Sequence, residues 1–185
     1  MARRILLLGP PGAGKGTQAT LIASALHVPH ISTGAMLRAA VAAGTRLGKQ
    51  AESVMASGEL VSDELVVAIV DERLSQDDAR CGYLLDGFPR NVAQAEALND
   101  SVVDAIGTVV LLNVDTEEVI VRMMRRAEEE GRSDDNEEAI RRRLEVYSGE
   151  TTPLVTFYDS AVLEVDGMGS VEAIFSRIMI ALAKS

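Results

Sequence analysis

Short aliphatic runs alternate with longer stretches of helical period along the whole chain. Residues 4–8, Arg-Ile-Leu-Leu-Leu, form an apolar run closed by Gly9 and Pro10, the pattern of a strand buried on both faces. Residues 14–26 then read as helix and 28–32 as a second short strand. Three helices follow over 33–43, 47–57 and 62–75, the last with Ser62 placed as its N-cap. A strand over 83–86 ends at Gly87, a helix covers 91–98, and 108–114 is the most hydrophobic strand. Helix 116–126 comes next, and the acidic stretch 128–138 breaks its periodicity. Helical pattern resumes over 136–151 and 153–159, 161–165 is the last strand, and 171–183 a closing helix. Strands separated in this way by helices predict an α/β, three-layer fold: a central five-stranded parallel sheet with helices on both faces. A single domain over 1–185 is expected, its core made of 1–32, 62–126 and 136–185. Two attachments stand apart from it, a helical flap over 33–61 and a short polar lid over 127–135.

Composition narrows the classes. The chain has 185 residues, enough for one domain with a full core, and 47% of them are hydrophobic while 3% are aromatic and none is tryptophan. The core must therefore be aliphatic and methionine-rich. Apolar runs of about five residues fall far short of the ~20 that cross a bilayer, and the N-terminal apolar run is too short for a secretory signal. One cysteine, Cys81, excludes an internal disulfide and a multi-cysteine zinc site, and it suits a reducing, cytoplasmic setting. A net charge of −10 disfavours nucleic acid and anionic membranes as partners. Yet 15 of the 18 basic residues are arginines, grouped at Arg122, Arg125 and Arg126 and at Arg141 to Arg143. An acidic protein that collects arginine in this way suits a compact, highly charged anion.

The sharpest motif is Gly9-Pro10-Pro11-Gly12-Ala13-Gly14-Lys15-Gly16-Thr17, set between a strand and a helix. Glycines let backbone N–H groups turn inward around a phosphate, the helix N-terminus adds its positive end, and Lys15 brings a mobile charge to the outer phosphates. A plain Gly-Pro turn explains neither the lysine nor its offset. One departure stands out: the general pattern places Ser or Thr directly after the lysine to ligate magnesium, whereas here that position is Gly16 and Thr17 comes one later.

A second constellation lies downstream. Ser32-Thr33-Gly34-Ala35-Met36-Leu37-Arg38 follows a strand and opens a helix, with Thr33 placed to cap it and Arg38 on the next turn. Taken alone, a helix cap and a surface arginine explain this segment equally well. In Leu84-Leu85-Asp86-Gly87-Phe88-Pro89-Arg90, a buried strand delivers Asp86 at its carboxyl end, where parallel sheets bind ligands and where a carboxylate can hold magnesium through water. Pro89 stiffens the turn that aims Arg90.

The loop Gly9 to Thr17 with its Gly16-Thr17-Gln18 ending, together with these two segments, resembles the adenylate kinases and their nucleoside monophosphate kinase relatives, and the likeness runs over the chain to Tyr158 and beyond. It implies a P-loop kinase whose ATP site uses Gly12, Ala13, Gly14, Lys15, Gly16 and Thr17. It implies an AMP site built from Thr33, Gly34, Arg38, Glu59, Val61, Gly87, Arg90 and Gln94. Gln94 matches the residue that reads adenine, for which a side-chain amide offers one donor and one acceptor. UMP/CMP kinases are similar but typically carry Ala where Thr33 stands and Asn where Gln94 stands, so both positions favour AMP. The usual acidic residue after the Ser-Thr-Gly motif is here Ala35.

The same resemblance implies that Arg122, Arg126, Arg132 and Arg143 clamp phosphates and the transition state, with Arg122 and Arg126 serving ATP and Arg132 and Arg143 serving AMP. Spacing puts Arg122 and Arg126 on one helical face, a pattern that solvated surface arginines share. Arg141 and Arg142 are left as solvated helix face, and Glu128 to Glu130 as the surface of a lid hairpin. Asp166-Gly167-Met168-Gly169-Ser170 matches the loop whose backbone near Gly169 meets the ATP base, and it reads equally well as a Gly-rich turn before a Ser-capped helix. The expected reaction is MgATP + AMP ⇌ 2 ADP by a monomer, without zinc and without a general base, since the acceptor is already an ionised phosphate. His27 and His30 are read as structural. A P-loop switch fits poorly, because no Asn-Lys-x-Asp motif is present, and a scaffold without turnover leaves Lys15, Asp86 and the arginines unexplained.

Overall fold

Five parallel strands stand in the order β2-β3-β1-β4-β5. The computed structural model describes residues 3–102, 105–130 and 136–185. The strands are β1 (Arg3–Leu8), β2 (His30–Ser32), β3 (Gly82–Asp86), β4 (Thr108–Asn113) and β5 (Val162–Asp166). Helices connect them: α1 (Lys15–Leu26), α2 (Thr33–Ala42), α3 (Arg46–Ala56), α4 (Asp63–Leu74), α5 (Val92–Ser101), α6 (Thr116–Glu130), α7 (Glu137–Val146), α8 (Pro153–Tyr158) and α9 (Val171–Lys184). A π-turn, Tyr147–Thr151, joins α7 to α8.

Alternation along each strand builds two cores, one per face. Ile5 and Leu7 of β1 and Leu84 of β3 pack with Ala19 and Ile22 of α1 and Ile174 and Ile178 of α9. Leu6, Leu8 and Leu85 point the other way, into a larger cluster with Val66 and Val70 of α4, Leu98 of α5 and Leu154 of α8. Strands covered on both faces need continuous apolar runs, which is why 4–8 and 108–114 stand out in the sequence. β1 pairs with β3 on one side and β4 on the other. The connection from β1 leads toward one edge and that from β3 toward the other, so the carboxyl ends of these neighbouring strands frame the crevice where such sheets bind ligands.

Of the three caps read from the sequence, Ser170 bonds as expected and two do not. Ser32, not Thr33, caps α2: its hydroxyl accepts from the Ala35 N–H at 3.4 Å, and Thr33 is the first helical residue. Ser62 occupies the N-cap position of α4, but its side chain makes no capping bond. Asn91, Asn136 and Ser170 cap α5, α7 and α9 as side-chain acceptors.

Helix α6 runs further than expected. Helix α6 does not stop at Arg126 but runs on to Glu130, so the charge run Glu128 to Glu130 is helix rather than hairpin. Loss of apolar period does not end this helix: a solvated helix needs no apolar face when good helix formers and i,i+4 pairs sustain it, as Arg125 and Glu129 do at 2.6 Å. The rest of the expected lid, residues 131–135 with Arg132, lies outside the described residues.

Candidate active site

The phosphate loop leaves β1 at Gly9 and enters α1 at Lys15. Gly9, Gly12 and Gly14 all have positive φ. At Gly12 (φ 82) a Cβ would lie 2.7 Å from both Met123 Cγ and the Val119 carbonyl oxygen, so only glycine lets α6 pack over the loop. Val119 and Met123 are themselves buried against Ile140 of α7. Ala13 is buried, whereas Gly16 and Thr17 are exposed on the first turn of α1. Lys15 Nζ folds back along the loop and donates to the carbonyls of Gly9 (2.7 Å) and Pro10 (2.9 Å).

Charge gathers around that ammonium group. Desolvation lowers the Lys15 pKa to about 8; Asp86 opposes this, and the cations Arg90, Arg143 and Arg126 reinforce it. Three arginines from separate parts of the chain thus act on one ammonium group, and Asp86 opposes them. For Asp86, burial pushes the carboxyl upward, but the His30 hydrogen bond and the charges of Lys15, His30 and Arg90 outweigh it and hold the group below its ordinary value. His30 Nε2 stands 3.4 Å from Asp86 Oδ2, so this histidine supports the carboxylate that faces the phosphate loop. Asp86 Oδ2 lies 3.7 Å from where a Cβ on Gly16 would stand.

A cavity beside this cluster is lined by Thr33, Gly34, Arg38, Glu59, Val61, Gly87, Arg90, Gln94 and Arg143. Residues spaced over more than a hundred positions, all singled out from sequence, therefore meet in one hollow. Thr33 Oγ1 donates to the Gly87 carbonyl at 2.8 Å, and Arg90 Nε donates to the same oxygen at 2.8 Å. The Arg90 carbonyl in turn accepts from Thr151 Oγ1 at 2.7 Å, which explains why Thr151 is buried in the π-turn. Gln94 is 1% exposed; its Oε1 accepts from the Arg90 N–H and its Nε2 donates to Asp63 Oδ1, both at 2.7 Å.

Sequence reasoning missed several participants. Met55, Gly58 and Leu60 also line the cavity. Arg142, taken for solvated surface, reaches Glu59 Oε1 at 2.6 Å and so ties the loop between α3 and α4 to α7. Asp63 is an acid in the first turn of α4, where the helix dipole is explanation enough, and nothing in its spacing signals Gln94.

On the other side of the phosphate loop, Arg122 Nε donates to Glu118 Oε1 (2.7 Å) and its Nη1 to the Gly167 carbonyl (3.2 Å). Arg177, unremarked in the sequence, donates to the carbonyls of Asp166 (2.9 Å) and Met168 (2.6 Å). The Gly-rich turn through Gly169 is thus held from α6 and α9. Buried Gln18 anchors the start of α9 to α1 through the Val171 carbonyl, at 2.9 Å.

A parallel sheet with a phosphate loop at its central strand, a carboxylate on the next strand and an arginine-lined cavity alongside defines a phosphoryl-transfer enzyme of the nucleoside monophosphate kinase class. The comparisons with known proteins agree. The family described as adenylate kinase matches residues 7–163. An adenylate kinase of Thermobifida fusca (strain YX) is 52% identical over 184 residues, covering 97% of each chain. One of Stenotrophomonas maltophilia (strain K279a) is 50% identical over 185 residues, covering 97% of this chain and 98% of its own. One of Xanthomonas campestris pv. campestris (strain B100) is 49% identical over 187 residues, covering 98% and 100%. The chain belongs to the adenylate kinase family.

Proposed function

We propose that this site carries out MgATP + AMP ⇌ 2 ADP, with the loop Gly12 to Thr17 holding the donor phosphates and the cavity from Thr33 to Arg143 holding AMP. The observation that carries this reading is the meeting of Thr33, Arg38, Arg90, Gln94 and Arg143 in one cavity, beside a loop lysine on which Arg90, Arg126 and Arg143 act. Phosphoryl transfer spreads negative charge over the moving group, and positioned cations stabilise it without covalent help. Arg90 and Arg143 line the acceptor cavity, while Arg122 reaches the turn assigned to the donor base. Gln94 reads the acceptor adenine, and Arg38 and Thr33 hold the phosphate side. Arg132 and Gly169 complete the assignment as the sequence resemblance implies.

The residues present suit magnesium. Among the described residues no three His, Cys, Asp or Glu groups could cage a metal, but buried Asp86 faces the phosphate loop beside Gly16. A lone carboxylate matches an ion that keeps several waters and takes its remaining ligands from substrate phosphates. Magnesium supplies neutralisation of phosphate charge; the chain's own groups orient the two nucleotides and exclude water. In this reading 33–61 is the AMP flap and 127–135 the lid, and closure of both excludes the water that would hydrolyse ATP. No helix among the described residues is long and apolar enough to cross a membrane; we assign a cytoplasmic monomer from the single cysteine and the family resemblance.

Arg90→Ala tests the two-site map. The expected result is a loss of at least ~100-fold in kcat/KM for AMP, with ATP affinity by equilibrium titration nearly intact. Equal loss at both sites would mean the map is misdrawn. The same coupled assay run with AMP, CMP, UMP and GMP checks the acceptor, and a preference for CMP or UMP would refute the assignment.

A further inference from the structure

The amide of Gln94 is held at its two ends by groups of opposite character. Its Oε1 accepts from the Arg90 backbone N–H, which can only donate. Its Nε2 donates to the Asp63 carboxylate, which can only accept. Turning the amide half a revolution would set oxygen against carboxylate and NH2 against N–H, replacing two buried hydrogen bonds with two repulsive contacts. Asp63 is itself pinned: Asn91 Nδ2 donates to its two oxygens at 3.1 and 3.2 Å. The Asn91 Oδ1 accepts from the Gln94 N–H at 2.8 Å. The first turn of α4 thereby fixes the first turn of α5.

Each end of the Gln94 amide keeps one further capacity, an N–H and a lone pair. Adenine offers an acceptor at N1 and a donor at its 6-amino group, which this orientation matches. A 6-oxopurine offers the reverse, an N1–H donor and an O6 acceptor, and needs the turned amide. We propose that Asp63 is a specificity-determining residue, which locks the Gln94 amide in the orientation that accepts adenine and rejects 6-oxopurine monophosphates. The inference rests on the reading above that Gln94 meets the acceptor base. A site whose buried polar groups would be left mispaired discriminates far more strongly than a difference in shape alone.

The test compares AMP with IMP, which differ only at these two purine positions, in the wild-type enzyme and in Asp63→Asn and Gln94→Leu. An asparagine has the size of Asp63 but can present either an oxygen or an NH2 group to Gln94, so the turned amide becomes tolerable on that side. The Asp63→Asn enzyme should lose ~10-fold or more of the AMP-over-IMP ratio of kcat/KM. The change should lie in KM, with kcat at saturating AMP near the wild-type value. Damage to folding or to α4 packing lowers both substrates together and leaves the ratio alone. Should the asparagine variant not yield folded protein, Asp63→Ser makes the same comparison. An unchanged ratio in Asp63→Asn, with Gln94→Leu crippled toward AMP, overturns the lock while sparing the base-reading role of Gln94. Wild-type kcat/KM for AMP in Gln94→Leu overturns both.

Discussion

Lys15 is expected to lower the stability of the nucleotide-free protein, and replacing it with methionine measures by how much. Burial and the neighbouring arginines bring its pKa from 10.5 to about 8. At ~1.4 kcal/mol per pH unit this amounts to about 3 kcal/mol against the charged lysine. Lys15 is only partly buried, and solvent around it trims the figure to ~2 kcal/mol. Lys15→Met also forfeits the bonds to the Gly9 and Pro10 carbonyls, about 1 kcal/mol in all if water takes their place in part. The net gain at pH 7 is then ~1 kcal/mol, in an enzyme with almost no turnover. The sign with pH is more telling than the size. The folded pKa lies below the unfolded one, so between about 8 and 10.5 the unfolded chain binds more protons and wild-type stability rises with pH. The penalty is complete below about 8 and gone above 10.5, and the variant lacks this rise. Urea unfolding of both proteins at pH 7, 8, 9 and 10, in buffer free of phosphate and sulfate, reads the difference directly. The variant's advantage should shrink toward pH 10 and reverse. A gap that stays constant with pH would refute the reasoning.

Two further substitutions separate packing from chemistry. Gly12→Ala should lower stability by ~2–4 kcal/mol and abolish ATP binding, because strain at φ 82 adds to overlap with Met123 and Val119. Gly14→Ala, at φ 84 with nothing within 4 Å of the new methyl group, should cost only ~1–2 kcal/mol; equal losses in thermal unfolding would show that the packing of α6 is irrelevant. Leu85→Ala removes a fully buried side chain beside Asp86 and should cost ~2–5 kcal/mol, and a denaturant midpoint unchanged from wild type would contradict its place in the core.

What could be read from the sequence and what could not divide along a physical line. Strands β1 and β4 were legible because burial on both faces demands unbroken aliphatic runs, and Gly9 to Thr17 because a phosphate loop needs its residue types in one contiguous segment. The acceptor cavity could be listed from resemblance but not assembled: Thr33, Gly87 and Arg143 meet only through the sheet order. Helix α6 was cut short because its last turn is stabilised by charge pairs, which leave no apolar period. Asp63 and Arg142 were invisible for the same reason from the other side. An acid at a helix start and an arginine on a helix face have sufficient local explanations, and their partners Gln94 and Glu59 lie far away in the chain.

The arrangement of Glu59 and Arg142 bears on how the acceptor site opens. Gly58 sits so close to α7 that a Cβ there would lie 2.7 Å from the Ala139 carbonyl oxygen, so the loop from α3 to α4 closes the cavity against the helix that carries Arg143. The pair that spans this seam, Glu59 with Arg142, is nearly half exposed on both sides. Such a pair contributes at most ~1 kcal/mol and weakens with salt. The pair alone is therefore too weak to hold the proposed flap against α7. Arg90 and Arg143 bear on Lys15 with Asp86 opposing them, and bound phosphate adds negative charge among these cations. In the proposed reaction the acceptor phosphate enters from one side and the donor phosphates from the other, so these cations are best compensated when both nucleotides are present. Removing Arg142 should accordingly loosen the loop from α3 to α4 against α7 and leave the response to both nucleotides intact, since in the proposed reaction that response resides in the arginines that face the phosphates.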